Sequence, residues 1–306
     1  MGQHQSDAGI LRFGHVSHDS GKITTSDSVE LHWQSWQPRQ PVGVIVLIHG
    51  LADHSGRYTA TAEYFAAHGW AIFAVDLRGH GLSSDGHKPG RVHVSHFDDY
   101  ALDVDAILGL ATERCPGLPR VILGHSMGGL VSLRYVIGRP DALDGAVISS
   151  PMLAPHPDGR LPKLLALVVG LISRLSPGLL FPTKLDASKV SRDAGVVAAY
   201  IDDPLVSGKV SARWYTSANQ AMADIQGRAA ELHLPTLLMQ SGADKLIDPE
   251  ATRRFAAAIA ADNIEFVVWD DLYHEMFNEP EKEMVREHVV SWLKNLVAMP
   301  GDRDST

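Results

Sequence analysis

The chain alternates between short apolar runs and longer amphipathic stretches. Val42–Ile48 is almost uninterruptedly apolar and β-branched, which is typical of a strand covered on both faces. Just before it, residues 29–34 alternate apolar and polar side chains, as a half-buried antiparallel strand does. Further helix and strand patterns follow in turn at Thr59–His68, Ala71–Val75, Asp98–Glu113, Arg120–Leu123, Met127–Ile137 and Gly145–Ser149. Repeated strand–helix–strand units predict a mostly parallel sheet with helices on both faces.

The alternation of strand and helix patterns stops at Pro151, where prolines begin to cluster. Only helical patterns follow, over Lys163–Leu175 and Ser211–Met222. Sheet and helix patterns then resume at Pro235–Gln240, Pro249–Ala261, Ile264–Trp269 and Pro280–Leu296. We therefore predict an α/β core from residues 21–150 and 234–298, with a helical cap inserted at residues 151–233. Residues 1–20 and 299–306 are predicted to be tails.

Composition narrows the classes of protein. The 306-residue chain has a single cysteine, Cys115, so no intramolecular disulfide can form. Its formal net charge is −9 without a basic stripe, which argues against a nucleic-acid partner. The polar N-terminus lacks a signal-peptide core, and the longest apolar run, Leu164–Ile172, is too short to span a bilayer. We expect a cytoplasmic protein with at most a peripheral association with membranes; its oligomeric state is left open.

The segment GHSMG at residues 124–128 matches the G-x-S-x-G pattern between a predicted strand and a predicted helix. This context is that of the nucleophile elbow in the α/β-hydrolase fold, and it marks Ser126 as the nucleophile. The turn directs the Met127 N–H at a developing oxyanion, and the Leu51 N–H, after an early strand, is the expected second donor. The alternative for Ser126 is an ordinary helix N-cap.

The serine needs a base, and the base needs a carboxylate that holds its tautomer. His274 lies in the loop after the last predicted strand, where the base of this fold is expected. Asp244 follows the preceding strand and is the expected acid. Asp248, four residues later, is its rival, although its place before a proline also suits a helix cap.

The chain resembles the monoacylglycerol lipase family of α/β-hydrolases, particularly its bacterial members, from about Thr24 to Leu296. The resemblance rests on six segments: HGLADHSGRY (49–58), DLRGHGLS (76–83), GHSMGG (124–129), DDPL (202–205), SGADKLIDP (241–249) and LYHEMFNEP (272–280). It implies the same catalytic and oxyanion residues and a cap over an acyl pocket. It also implies substrate-binding positions at Asp53, Arg57, His125 and Tyr200, of which Tyr200 would contact a glycerol head group.

The expected reaction is ester hydrolysis through an acyl-enzyme, with no metal or cofactor. The resemblance favours a monoacylglycerol substrate, cleaved to fatty acid and glycerol; lysophospholipids and general carboxylic esters are alternatives. A hydrolase-fold protein that binds a lipid with little turnover is the alternative from another class. Because Lys163–Leu175 is apolar around most of its circumference, we also expect transient contact of the cap with a lipid interface.

Overall fold

The computed structural model describes residues 15–83, 91–183, 185–206 and 208–298. The first half of the core contains six strands and three helices. In chain order these are β1 (Ser17–Thr24), β2 (Glu30–Gln37), β3 (Gly43–Ile48), α1 (Thr59–Ala67), β4 (Trp70–Val75), α2 (Tyr100–Arg114), β5 (Arg120–His125), α3 (Met127–Gly138) and β6 (Gly145–Ser149).

The chain then leaves the sheet after Ser149 and returns to it at Thr236. The intervening elements are α4 (Lys163–Leu175), β7 (Leu180–Pro182), α5 (Ala194–Asp202), β8 (Lys209–Ser211) and α6 (Ala212–Gln226). The core is completed by β9 (Thr236–Ser241), α7 (Pro249–Ala257), β10 (Ile264–Trp269) and α8 (Lys282–Ala298). The inserted segment is thus mainly helical, with β7 and β8 forming a short antiparallel pair of their own.

Eight strands form one sheet in the order β1-β2-β4-β3-β5-β6-β9-β10. Within this sheet the pairs β1–β2 and β2–β4 are antiparallel, and the other strand pairs are parallel. β3, β4 and β6 are buried along their whole length, as their continuous apolar sequences require. Helices α2, α3 and α7 contribute to an apolar cluster on one face, and α1 and α8 to a second cluster on the other. The mostly parallel sheet with helices on both faces is confirmed.

The predicted N-terminal tail is wrong for Ser17–Ser20, which belong to β1. This strand pairs with β2 throughout, from Ser17 opposite Gln37 to Thr24 opposite Glu30. Its side chains are largely exposed, so it is stabilised mainly by backbone hydrogen bonds that leave no apolar pattern in the sequence. Residues 1–14, and the predicted tail at 299–306, lie outside the described residues. Within the described ranges, no helix has the length and apolar character needed to cross a membrane.

Candidate active site

Ser126 occupies the sharp turn between β5 and α3. Its backbone has φ 55° and ψ −116°, a left-handed conformation that is strained for a residue with a side chain. The glycines on either side are required by close packing. A Cβ on Gly124 would lie 2.4 Å from the carbonyl oxygen of Gly128, and one on Gly128 would lie 2.2 Å from that of Ile48. The turn is therefore the strand–elbow–helix geometry that the sequence pattern predicts.

Three buried side chains form a continuous line of hydrogen-bonding atoms at this turn. Ser126 Oγ lies 2.9 Å from His274 Nε2, and His274 Nδ1 lies 2.7 Å from Asp244 Oδ2. The other carboxylate oxygen of Asp244 accepts hydrogen bonds from the backbone N–H groups of Leu246 (2.8 Å) and Ile247 (2.9 Å). Asp244 is thus fixed on one side by backbone donors and presents its second oxygen to the imidazole.

Asp244 and His274 each stabilise the charged form of the other. Burial alone would lower the pKa of His274, but the adjacent Asp244 carboxylate outweighs it and raises that pKa. Burial would likewise raise the pKa of Asp244, but the His274 ring and the two backbone N–H groups hold it below its usual value. Asp244 is therefore ionised and stabilises a proton on His274.

Asp248, the rival acid in the sequence, lies elsewhere. It caps α7, where its carboxylate accepts a hydrogen bond from the N–H of Glu250 at 3.1 Å. Its other oxygen is 3.0 Å from the guanidinium of Arg160. The structure thus brings Asp244, and not Asp248, to His274.

The two amides predicted to stabilise an oxyanion belong to residues close to Ser126: Met127 follows it in the chain, and Leu51 lines the same cavity. Met127 is the first residue of α3, so its N–H has no acceptor within the helix. Leu51 follows Gly50, whose backbone packs so closely that a Cβ there would lie 3.3 Å from Ser126 Cβ. The N–H of Leu51 makes no hydrogen bond to any described residue. Both N–H groups are therefore available to a ligand bound at Ser126.

A buried ionic cluster lies next to the catalytic residues. The Arg57 guanidinium donates to Asp53 at 3.0 Å and makes a two-pronged contact with Glu275, at 2.9 and 2.7 Å. Tyr58 donates its hydroxyl to the second oxygen of Asp53 at 2.8 Å, and the ring of Tyr200 covers the guanidinium at 4.7 Å. Burial would raise the pKa of Asp53, but the Arg57 charge outweighs it and lowers that pKa well below its usual range. The sequence did not single out Glu275, although its position directly after His274 was a signal.

A small cavity of about 70 Å³ opens beside Ser126. Asp53, His125 and Tyr200 line it, whereas Arg57 is not among its lining residues. His125 Nδ1 lies 3.1 Å from Ser149 Oγ, and burial lowers the pKa of this histidine to about 3, so its ring is neutral. The remaining lining residues are mainly apolar: Leu51, Met152, Leu185, Val190, Leu246 and Ile247.

The inserted segment is tied to the core beside this cavity. His54 Nε2, in the loop after β3, lies 2.9 Å from the Asp203 carboxylate just after α5. Arg192, in the inserted segment, donates to Glu279 of the core, and Ser191 donates to the same carboxylate at 2.7 Å. These pairs join residues far apart in the chain, and sequence reasoning missed them. Over the described ranges, no group of three or more His, Cys, Asp or Glu side chains is placed to hold a metal ion.

Fold and site together define a serine hydrolase of the α/β-hydrolase fold. The chain belongs to the family described as "Serine aminopeptidase, S33", whose family model matches residues 39–281. It is 40% identical over 271 residues to a monoacylglycerol lipase of Mycolicibacterium smegmatis, across 87% of this chain and 93% of that protein. It is also 35% identical over 256 residues to phospholipase YtpA of Bacillus subtilis, across 82% of this chain and 95% of that protein.

A solved structure supports the same relationship. The crystal structure of Paleococcus ferrophilus monoacylglycerol lipase superposes with a TM-score of 0.78 at 31% sequence identity. The match covers 87% of this chain and 99% of that one. The predicted α/β-hydrolase fold and the resemblance to monoacylglycerol lipases are therefore confirmed.

Proposed function

We propose that this chain hydrolyses monoacylglycerols to a fatty acid and glycerol, with Ser126 as nucleophile, His274 as general base and Asp244 as the acid that orients it. One observation carries the proposal: the unbroken line from Asp244 through His274 to Ser126 Oγ, at 2.7 and 2.9 Å, beside an open cavity. A serine hydroxyl so placed can lose its proton as it attacks a carbonyl carbon.

The reaction has two steps. In the first, His274 accepts the Ser126 proton while Oγ bonds to the ester carbonyl carbon, and the resulting oxyanion is stabilised by the N–H groups of Leu51 and Met127. His274 then gives the proton to the departing glycerol oxygen, which leaves an acyl-enzyme. In the second step His274 accepts a proton from water, the hydroxide attacks the acyl carbon, and the proton returns to Ser126 Oγ as the fatty acid leaves.

The lining of the cavity suits a substrate with an apolar chain and a small polar head. Met152, Leu185, Val190 and neighbouring apolar side chains offer a surface for an acyl chain. Asp53 and Tyr200 provide polar groups at the same cavity for a glycerol. Relatives named monoacylglycerol lipase, from Mycolicibacterium smegmatis and Paleococcus ferrophilus, support this substrate class.

The segment 151–233 acts in this proposal as a cap, and its helix α4 as the part that touches lipid. The helix exposes large apolar side chains, with 75% of Leu164, 71% of Leu167 and 58% of Leu171 accessible to solvent. Its other side is buried through Val169 and Ser173. An exposed apolar face on a helix that is otherwise packed is typical of a surface that binds lipid aggregates.

A lysophospholipid substrate is the second candidate, because the Bacillus subtilis relative is named a phospholipase. The two are separated with monoacylglycerol, lysophospholipid and methyl ester of one acyl chain, all assayed below their aggregation concentration. We expect the largest kcat/KM for monoacylglycerol. Ser126→Ala should reduce all three activities by roughly four to six orders of magnitude with an unchanged melting temperature. A wild-type protein that cleaves methyl ester but not monoacylglycerol would refute the proposal.

A further inference from the structure

The cavity beside Ser126 has carboxylates in its lining. Among the described lining residues the carboxylates are Asp53 and Glu275, and none is a lysine or arginine. The histidines in the lining are His125, whose low pKa keeps it neutral, and the catalytic base. A ligand group beyond the scissile ester therefore meets carboxylates and no permanent cation on these walls.

Arg57, the nearby cation, already has two carboxylate partners. Its guanidinium makes three hydrogen bonds to two carboxylates, Asp53 and Glu275, and Tyr200 covers its face. Only 11% of its side chain is exposed. A phosphate would have to compete with these two carboxylates for a guanidinium that is largely buried, which is costly. Two carboxylates around one guanidinium also leave the cluster with one formal negative charge.

We propose that Asp53 and Glu275 determine head-group specificity by disfavouring anionic head groups, so that anionic lysophospholipids are poor substrates compared with monoacylglycerols. This inference rests on the proposed function and refines it. Repulsion between like charges strengthens where water is excluded, so an anionic phosphate at this wall is destabilised, whereas an uncharged glycerol is not. Neither carboxylate is hydrogen-bonded to Ser126 Oγ, so their effect on the head group can be separated from their effect on the pKa of His274.

The test separates charge from size with three octanoyl substrates used as monomers. These are 1-octanoylglycerol, its 3-phosphate, and the neutral dimethyl ester of that phosphate, which is larger than the phosphate but carries no charge. The proteins are the wild type, Glu275→Gln, Asp53→Asn and the control Asp202→Asn, which removes an exposed carboxylate of the cap that does not line the cavity. Each kcat/KM is taken on the alkaline plateau of that protein's own pH profile, because Glu275 and Asp53 also raise the pKa of His274.

We expect the wild type to cleave the neutral phosphotriester faster than the charged phosphate. The ratio of phosphate to phosphotriester kcat/KM should rise on the order of tenfold in Glu275→Gln and in Asp53→Asn, and stay unchanged in Asp202→Asn. The acid limb of the pH profile should move to lower pH in both site variants, which shows that the removed charge acts at the site.

Two results would overturn the inference. The first is a wild type that cleaves the phosphate and the phosphotriester equally well or equally badly. The charge of the head group would then have no effect on cleavage, and this comparison needs no variant. The second is an unchanged ratio in a site variant that is folded and shows the shifted pH profile. Failure of the proposed function looks different: the wild type would not cleave 1-octanoylglycerol while still cleaving methyl octanoate.

Discussion

Replacing Asp244 by asparagine should abolish catalysis by forcing His274 into the wrong tautomer. One oxygen of Asp244 accepts hydrogen bonds from the N–H groups of Leu246 and Ile247, and only a carbonyl oxygen can keep that role. The side-chain amide introduced at position 244 must then turn its NH₂ group toward His274 Nδ1. Nδ1 becomes an acceptor, the imidazole proton moves to Nε2, and Nε2 can no longer accept the proton of Ser126.

The expected loss of kcat follows from this change of the His274 tautomer. A triad histidine held in the wrong tautomer costs about 10⁴-fold in kcat, or roughly 5.5 kcal/mol of transition-state stabilisation. The backbone contacts of residue 244 are retained, so the melting temperature should change by only a few degrees. The assay is kcat for a monoacylglycerol and for a p-nitrophenyl ester, with circular dichroism on the same samples.

Asp248→Asn is the matched control. Asparagine also caps helices, so α7 should remain capped and activity should stay within about twofold of the wild type. An Asp244→Asn variant that keeps a tenth or more of wild-type kcat would refute the tautomer argument. Loss of activity in Asp248→Asn alone would show that the assignment of the acid is wrong.

Tyr200→Phe keeps the ring over Arg57 and deletes the hydroxyl, so kcat/KM should fall roughly two- to twelvefold for monoacylglycerol and hardly at all for the methyl ester; equal changes for both esters would refute glycerol recognition by this residue. Aspartate at Val168 or Leu171, both exposed on α4, should reduce activity on emulsified long-chain substrate with little effect on soluble short-chain esters or melting temperature; a lowered melting temperature with equal losses would indicate packing instead. Because the carboxylate beside His274 raises its pKa, the base becomes protonated as pH falls, so kcat/KM should drop through an acid limb set by His274 and remain high above it; a flat profile across neutral and mildly acidic pH would contradict this.

The elements with a continuous or periodic apolar pattern could be predicted from the sequence. The boundaries of β6, β10 and α4 agree with the predicted segments, since continuous or periodic apolar residues identify such elements directly. β1 was missed because its residues are mostly polar and exposed and its strand is defined by backbone pairing to β2. Local sequence carries little information about such a partner.

The active site also combines residues that local sequence identifies with contacts that only the tertiary fold creates. The positions of Ser126 and His274 after particular strands could be read from the sequence because the fold places chemistry at strand ends. The contact between Arg57 and Glu275 joins residues 218 positions apart, and neither has a motif that points to the other. Charge pairs of this kind are formed by the tertiary fold, and one such pair supports our inference on head-group specificity.

The backbone of Ser126 has a consequence for the stability of the whole protein. Its φ of 55° with ψ of −116° costs a residue with a Cβ about 1–3 kcal/mol, whereas glycine adopts this conformation freely. Glycine loses roughly 0.5–1 kcal/mol through its greater freedom in the unfolded chain, less than the strain that it relieves. Ser126→Gly should therefore be catalytically inert yet at least as resistant to heat as the wild type, while Ser126→Ala keeps the strain. The native enzyme gives up part of its folding free energy at one residue for its chemistry, and the glycine variant is the better choice for trapping an intact substrate complex.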